Sequence, residues 1–312
     1  MITLATLAAN ADDKLVQGFV NEVVTDSALL DSMQFDNCVE ANGSTLVYGY
    51  KRVTGGLTAA FRELNAEPTA SDLTFERVTT TLAILSDKWS MDRVAQAAAP
   101  DLYEQYLTEA KNAIVRAFTA EFVKGAPKAA EGSNHAVLGF EGLAKTLAGG
   151  ATEKTAAADV STVTQASALG FAEDLDGMLS SLMRQPDLLL VSPATKVKIN
   201  AVCRALGLGT TTADSAGHQV ATWNGIRIEE VRDAAVCGTD IYAVCLGMDA
   251  VHGVTLKGDS AITVNVPDWA APGAVKSGDA EFVCGVAVKN TRAAGVLHAK
   301  PAASAGGSPT GK

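Results

Sequence analysis

The chain has 312 residues, 47% of them hydrophobic and 19% charged, with 35 acidic and 25 basic side chains for a formal net charge of −10. That length supports one large domain or two ordinary ones with proper cores, and the apolar content excludes disorder over most of the chain. An acidic field repels DNA, RNA and anionic membranes, and no Lys/Arg cluster is longer than Lys51-Arg52, so recognition of nucleic acid is disfavoured.

The opening "MITLATLAANADD" lacks the basic start of a secretory signal, and no apolar run approaches the ~20 residues that cross a bilayer. Cys38, Cys203, Cys237, Cys245 and Cys284 are odd in number, scattered and without a C-x-x-C pair. They read as free thiols of a soluble protein made in a reducing cytoplasm. Aromatic residues are only 5%, which favours thin, small-residue packing over a thick aromatic core.

Residues 11–34 read as a helical arm, with Leu15, Phe19, Val23, Leu29, Leu30 and Met33 three or four apart. The period then becomes strand-like. "TLVYGYKRV" and "FERVTTTLAIL" are rich in Val, Thr, Tyr and Ile, and "TGGLTAAFRELNAEPTASDL" lies between them. Two long strands joined this way form a ribbon with too few apolar positions to fold on itself, so it is expected to lie on another subunit. "APDLYEQYLTEAKNAIVRAFTAEFVKGAP" reads as a spine helix of roughly 35 Å, opened by Pro100-Asp101 and stopped by Gly125. Its expected buried face runs through Leu102, Tyr106, Ala110, Ile114, Ala117 and Phe118.

A Gly/Ala-rich connection holds a short apolar element, "VLGFEGLAK", and a second helix, "ALGFAEDLDGMLSSLMRQ", ends at Pro186. "DLLLVS" is a short buried strand, and "PATKVKINAVCRAL" a helix with Ser192 as N-cap and Pro193 in its first turn. After a loop, "WNGIRIEEVRD", "DIYAVCLG", "AITVNV" and "EFVCGVAVKNTRAAGVLHA" read as strands, and the tail "KPAASAGGSPTGK" is low-complexity.

No catalytic set emerges. Gly207-Leu208-Gly209 follows a helix instead of opening one, lacks a third glycine in phase, and has no lysine, so a phosphate site is rejected and Gly207 reads as an αL C-cap. His135, His218, His252 and His298 lack zinc spacing. Ser133, Ser192 and Ser277 lack the G-x-S-x-G elbow, Glu229-Glu230 reads as solvated charge, and Cys237 and Cys245 as unbonded thiols. No cofactor and no metal are expected.

The order of elements carries more than any one motif. Arm, ribbon, spine helix, Gly-rich connection, helix, "DLLLVSPATKVKINAVCRALG", the strand Asn224-Gly225-Ile226-Arg227-Ile228 and the closing "GVAVKNTRAAGVLHAKPA" resemble the major capsid protein of tailed double-stranded DNA phages, the Hong Kong 97-like fold. The likeness spans about residues 12–301. It implies an α+β fold laid out as an N-terminal arm (1–40), an extension loop built as a β-ribbon (41–85), a peripheral domain with the spine helix (86–139), an axial domain (140–276), a return strand of the peripheral domain (277–300) and a flexible tail (301–312).

The resemblance further implies a structural protein, not an enzyme, that assembles with itself into pentamers and hexamers of an icosahedral head in the host cytoplasm. It would enclose DNA without reading its sequence and would touch no membrane. Scaffolding, portal, maturation protease and decoration proteins are its implied partners. The inter-subunit contacts expected are Tyr48, Tyr50, Arg52, Phe61 and Arg62 of the ribbon, and Gly207, Gly209 and Thr211 of a loop at the symmetry centres. Some relatives cross-link a loop lysine to a neighbour's asparagine, but nothing promotes Lys51 or Asn290 to that role. An encapsulin-like bacterial compartment is the alternative reading, and a small α/β enzyme a weaker one.

Overall fold

A computed structural model describes residues 28–39, 46–55, 57–67, 69–94, 100–129, 137–208, 211–213, 219–256 and 262–300. In chain order the elements are α1 (Ala28–Ser32), β1 (Phe35–Val39), β2 (Val47–Gly55), β3 (Thr74–Thr81), β4 (Ala83–Asp92), α2 (Pro100–Lys124), β5 (Lys128–Ala129), β6 (Val137–Leu138), α3 (Leu143–Leu147), β7 (Glu153–Thr155), α4 (Gln165–Ser180), β8 (Leu188–Val191), α5 (Pro193–Leu206), β9 (Thr211–Ala213), β10 (Gln219–Trp223), β11 (Ile226–Glu230), α6 (Ala234–Cys237), β12 (Ile241–Val244), β13 (Val251–Leu256), β14 (Ile262–Asn265), β15 (Val275–Val288) and β16 (Ala294–His298). The fold is α+β, and it divides into two units, Met1–Lys145 with Gly247–Asn290 and Thr146–Leu246 with Thr291–Lys312.

The first unit is built on a sheet ordered β1-β13-β15-β14, with β4 also on β15. β15 alternates exposed and buried residues from Val275 to Phe282, as a sheet with one wet face requires, and is buried throughout from Cys284 onward. β4 pairs with it antiparallel over ten residues, from Asp92↔Val275 to Ala83↔Cys284. The spine helix α2 begins at Pro100, where a missing N–H does no harm, and ends before Gly125. It buries Leu107, Ala110, Ile114, Phe118, Phe122 and Val123. Of the expected face, Ala110, Ile114 and Phe118 are buried, while Tyr106 and Ala117 are exposed. Leu107 is buried in place of Tyr106, because the stripe runs Leu107, Ala110, Ile114, Phe118, Phe122 at spacings of three and four.

The core of this unit is aromatic after all. Phe118 lies 6.3 Å from Phe35, 5.6 Å from Phe282, 5.7 Å from Phe140 and 6.3 Å from Phe122, ring centre to ring centre. Five of the nine phenylalanines therefore meet in one cluster, and a low average content said nothing of where they gather. Truncating Phe118, with no exposed surface, to alanine costs about 3–5 kcal/mol by core precedent.

The second unit carries a seven-stranded sheet ordered β7-β16-β12-β8-β11-β10-β9. The central strands β8 (LLLV) and β12 (IYAV) are buried at every residue, which explains continuous apolar runs in place of alternation. β8 runs parallel to β11 and antiparallel to β12. Helix α4 opens on a capping box, Thr164 with Ser167. Helix α5 opens on Ser192, whose Oγ accepts from the Thr195 N–H at 3.3 Å, and closes on Gly207 in the left-handed region at φ 68°.

Most of the expected arm at 11–34 lies outside the described residues; α1 ends it, with Leu29, Leu30 and Met33 buried. Two expectations about the later chain change. The segment 277–300 is not one return strand. β15 ends at Val288 on β4 and β13, whereas β16 pairs with β12 and β7 in the other unit. Residues 247–276 belong with the spine helix, not with the sheet of the second unit. β13 was not anticipated, because His252 and Gly253 interrupt its apolar pattern. Gly253 is needed there: a Cβ on it would stand 2.3 Å from the Phe35 ring.

Candidate functional site

The ribbon forms as the strand propensities predicted. β2 and β3 pair antiparallel, from Val47↔Thr81 to Gly55↔Thr74, with an irregularity between Val53 and Gly55. Alternation along β2 puts Tyr48, Tyr50 and Arg52 on one face and Val47, Lys51 and Val53 on the other. Beyond the paired region, the tip holds its shape through local bonds. Arg62 donates from Nη1 to the Ala66 carbonyl at 2.9 Å, Ala66 N–H donates to the Glu63 carbonyl at 3.2 Å, and Asn65 takes φ 68°.

The ribbon leaves much apolar surface in water. Leu57, Phe61, Leu64, Leu73 and Phe75 are all exposed, Leu64 at 91% and Phe61 fully. Fully burying one such side chain is worth roughly 1.5–3 kcal/mol. Soluble monomers seldom expose this many large apolar side chains on one element.

At its base the ribbon is held by its own chain. Tyr48 is buried in a cluster with Leu82, Val254 and Ala287, and its hydroxyl donates to Asp36 Oδ2 at 3.0 Å. The Tyr50 hydroxyl donates to the Val288 carbonyl at 2.7 Å. Burial raises the Tyr50 pKa against the opposing pull of Arg52. Arg52 donates to the carbonyls of Val288 and Lys289 and faces Glu76 across the ribbon at 3.7 Å. Of the five ribbon residues expected at subunit contacts, then, Tyr48, Tyr50 and Arg52 bond to β1 or to the end of β15, while Phe61 and Arg62 stand at the exposed tip, Arg62 bonded, among the described residues, only within the tip.

His252 lies beneath this base with no exposed surface and neither ring nitrogen hydrogen-bonded. It meets the Tyr48 ring edge-on at 5.9 Å. Burial, then nearby Lys289, pushes its pKa down to about 4, against a weaker upward pull from Asp36. Sequence spacing gave no sign of this histidine's setting.

The glycine-rich loop is the end of α5. The Gly207 and Leu208 amides donate to the Arg204 and Cys203 carbonyls at 3.3 and 2.9 Å, so they face the helix and not a ligand. Thr211 opens β9, which pairs antiparallel with β10 as Thr211↔Ala221, so part of the expected loop is paired strand. Gly209 lies outside the described residues, as do His135, His218 and Ser133.

The second unit also holds a cavity of about 470 Å³, lined by apolar Phe171 and Leu297 and by Asp159, Lys198, His298 and Lys300. His298 bridges two carboxylates there, Nε2 to Glu153 at 3.0 Å and Nδ1 to Asp240 at 3.1 Å. Among the described residues no group of His, Cys, Asp and Glu is placed to hold a metal ion. Cys203, Cys237, Cys245 and Cys284 are buried and not joined in disulfides, and burial raises the pKa of Cys203 and Cys284. Ser192 Oγ donates to the Gly238 carbonyl at 2.6 Å, the role of a cap and not of a nucleophile. Glu230 pairs with Lys196 at 2.9 Å and Glu229 with Arg227 at 3.5 Å, so both of these charges are matched.

Comparison with known proteins bears on the fold. Residues 154–272 match the family model of the type 2A encapsulin shell protein, SrpI-like. No curated protein matches the sequence. Among solved structures, the chain is similar to the holo-SrpI encapsulin complex from Synechococcus elongatus PCC 7942, with TM-score 0.57, 16% identity and 86% of each chain covered. It is similar to the capsid of the native GTA particle, with TM-score 0.59, 16% identity, and 88% of this chain and 90% of that one covered. It is also similar to the capsid of Myoviridae phage XM1, with TM-score 0.56, 11% identity, and 88% and 91% covered. The chain has the Hong Kong 97-like capsid fold.

Proposed function

We propose that this chain is a shell subunit, the major capsid protein of a tailed double-stranded DNA phage, assembling with itself into an icosahedral head. The observation that carries the reading is the ribbon: anchored at its base, apolar and exposed at its tip, and unable to bury Phe61 or Leu64 within its own chain. A heterologous contact, in which one patch meets a different patch on the next copy, satisfies such a ribbon and closes rings by rotation. Burial of about 1,500 Å² per contact then stabilises a shell without catalytic residues.

In this reading the first unit is peripheral and the second axial. Phe61 and Arg62 meet a neighbour, and Gly207, Gly209 and Thr211 lie toward the symmetry centres. An acidic subunit also suits a head whose DNA must slide, because its surface does not grip phosphates. Scaffolding, portal and protease partners belong to this reading as well.

A second reading, an encapsulin compartment holding cargo enzymes, is favoured by the family-model match over 154–272. The length of the ribbon favours the phage. Particles purified from cells producing the chain separate the two. Nuclease-protected DNA inside them supports the head, and co-purifying enzyme without DNA supports the compartment. A chain that forms no particles under any condition contradicts both.

A further inference from the structure

Two side chains of β2 that were expected to reach a neighbour grip the chain's own backbone. Tyr50 donates to the Val288 carbonyl at 2.7 Å. Arg52 donates through Nη2 to the same carbonyl at 2.8 Å and through Nε to the Lys289 carbonyl at 3.0 Å. These acceptors sit where the ladder of β15 with β13 ends, at Val251↔Val288. The planar guanidinium spans two successive carbonyls, a geometry that a lysine ammonium does not reproduce. Arg52 is mostly buried while Glu76, its partner across the ribbon, is mostly exposed, so the backbone contacts dominate over the ion pair.

We infer that Tyr50 and Arg52 form a latch that fixes the direction in which the ribbon leaves the first unit, and that this direction selects the curvature of the assembled shell. The inference rests on the shell reading above. Both are positioning residues, acting through the ribbon on contacts made at its tip. The lever arm gives the reason. A nine-residue strand spans about 30 Å, so a swing of about 10° at the base carries the tip about 5 Å. Close-packed interfaces do not absorb a displacement of that size. The Tyr48 contacts to Asp36 and to the Leu82 cluster hold the strand in place, but they lie nearer its start and leave its outward direction to Tyr50 and Arg52.

The test is the double variant Tyr50→Phe, Arg52→Lys, which removes one hydroxyl and the fork but keeps size and charge. Two quantities are read: amide hydrogen exchange of the unassembled subunit, and particle diameters under conditions where the parent assembles. Exchange over 47–55 and 74–81 is expected to rise about tenfold, with 188–191 unchanged, because the openings lost are local. Particles are expected to form in parental yield but with a broadened diameter distribution, including open or tubular forms. Parental diameters, or parental exchange rates in the ribbon, overturn the latch. If the parent forms no particles, the shell reading fails and the curvature role falls with it, while the exchange data still decide whether the latch holds the ribbon. Should the double variant misfold, Tyr50→Phe alone is read by the same two measurements.

Discussion

Gly142 donates its backbone N–H to the Gly125 carbonyl at 2.9 Å, so the chain entering α3 passes directly across the end of the spine helix. Neither residue has room for a side chain. A Cβ on Gly142 would stand 2.3 Å from the Gly125 nitrogen, and one on Gly125 would stand 2.3 Å from the Phe140 carbonyl oxygen. Gly142→Ala is therefore expected to destabilise the first unit by roughly 2–3 kcal/mol or more, since the clash is with backbone that cannot rotate away. Urea denaturation of the unassembled subunit measures this, and a parental midpoint contradicts it.

This crossing also shows what was legible in the sequence. Pro100 and Gly125 marked the ends of α2, and Ser192, Pro193 and Gly207 the ends of α5, because caps are local chemistry. Strand composition placed the ribbon. The Gly125–Gly142 contact, the pairing of β1 with β13, and the split of the last segment between two sheets are long-range, and no local pattern encodes them. The site shows the same division. Phe61 came from the resemblance and is exposed, but an arginine or tyrosine on a strand looks the same whether it meets a neighbour or its own backbone.

His298 bridging Glu153 and Asp240 predicts a pH dependence in the second unit. Burial alone lowers its pKa, but the hydrogen bonds to Glu153 and Asp240 outweigh that and raise it. Both nitrogens donate only when the ring is protonated. A raised folded-state value means the stabilisation is full below the ordinary histidine value and lost as pH rises through the raised one. His298→Asn should flatten this slope, by less than about 1 kcal/mol because a third of the ring meets solvent. An identical slope in both proteins would count against the bridge.

His252 predicts the opposite trend in the first unit. Its folded-state pKa is pushed down to about 4, whereas the unfolded chain takes up a proton near pH 6.5. Stability is therefore full above about pH 6.5 and declines as pH falls toward 4, by up to roughly 3 kcal/mol. His252→Leu, similar in volume and free of unbonded nitrogens, should remove most of that acid loss. Thermal denaturation of the subunit from pH 7 to pH 4 reads it, and equal acid sensitivity in variant and parent contradicts the assignment.

The ribbon tip separates folding from assembly. Phe61→Ser with Leu64→Ser should leave subunit stability within about 0.5 kcal/mol, since both side chains already lie in solvent. The same variant should fail to close shells, as should deletion of residues 54–70. Normal particles from either protein would refute the placement of the ribbon on a neighbour.

The central claim is that the chain builds a shell. Negative-stain microscopy and mass measurement of the purified protein, or of the lysate that makes it, test it most directly. The expected result is capsomers, tubes or closed particles of megadalton mass. A stable monomer or dimer at high concentration, with no partner able to assemble it, is the result that would contradict the account.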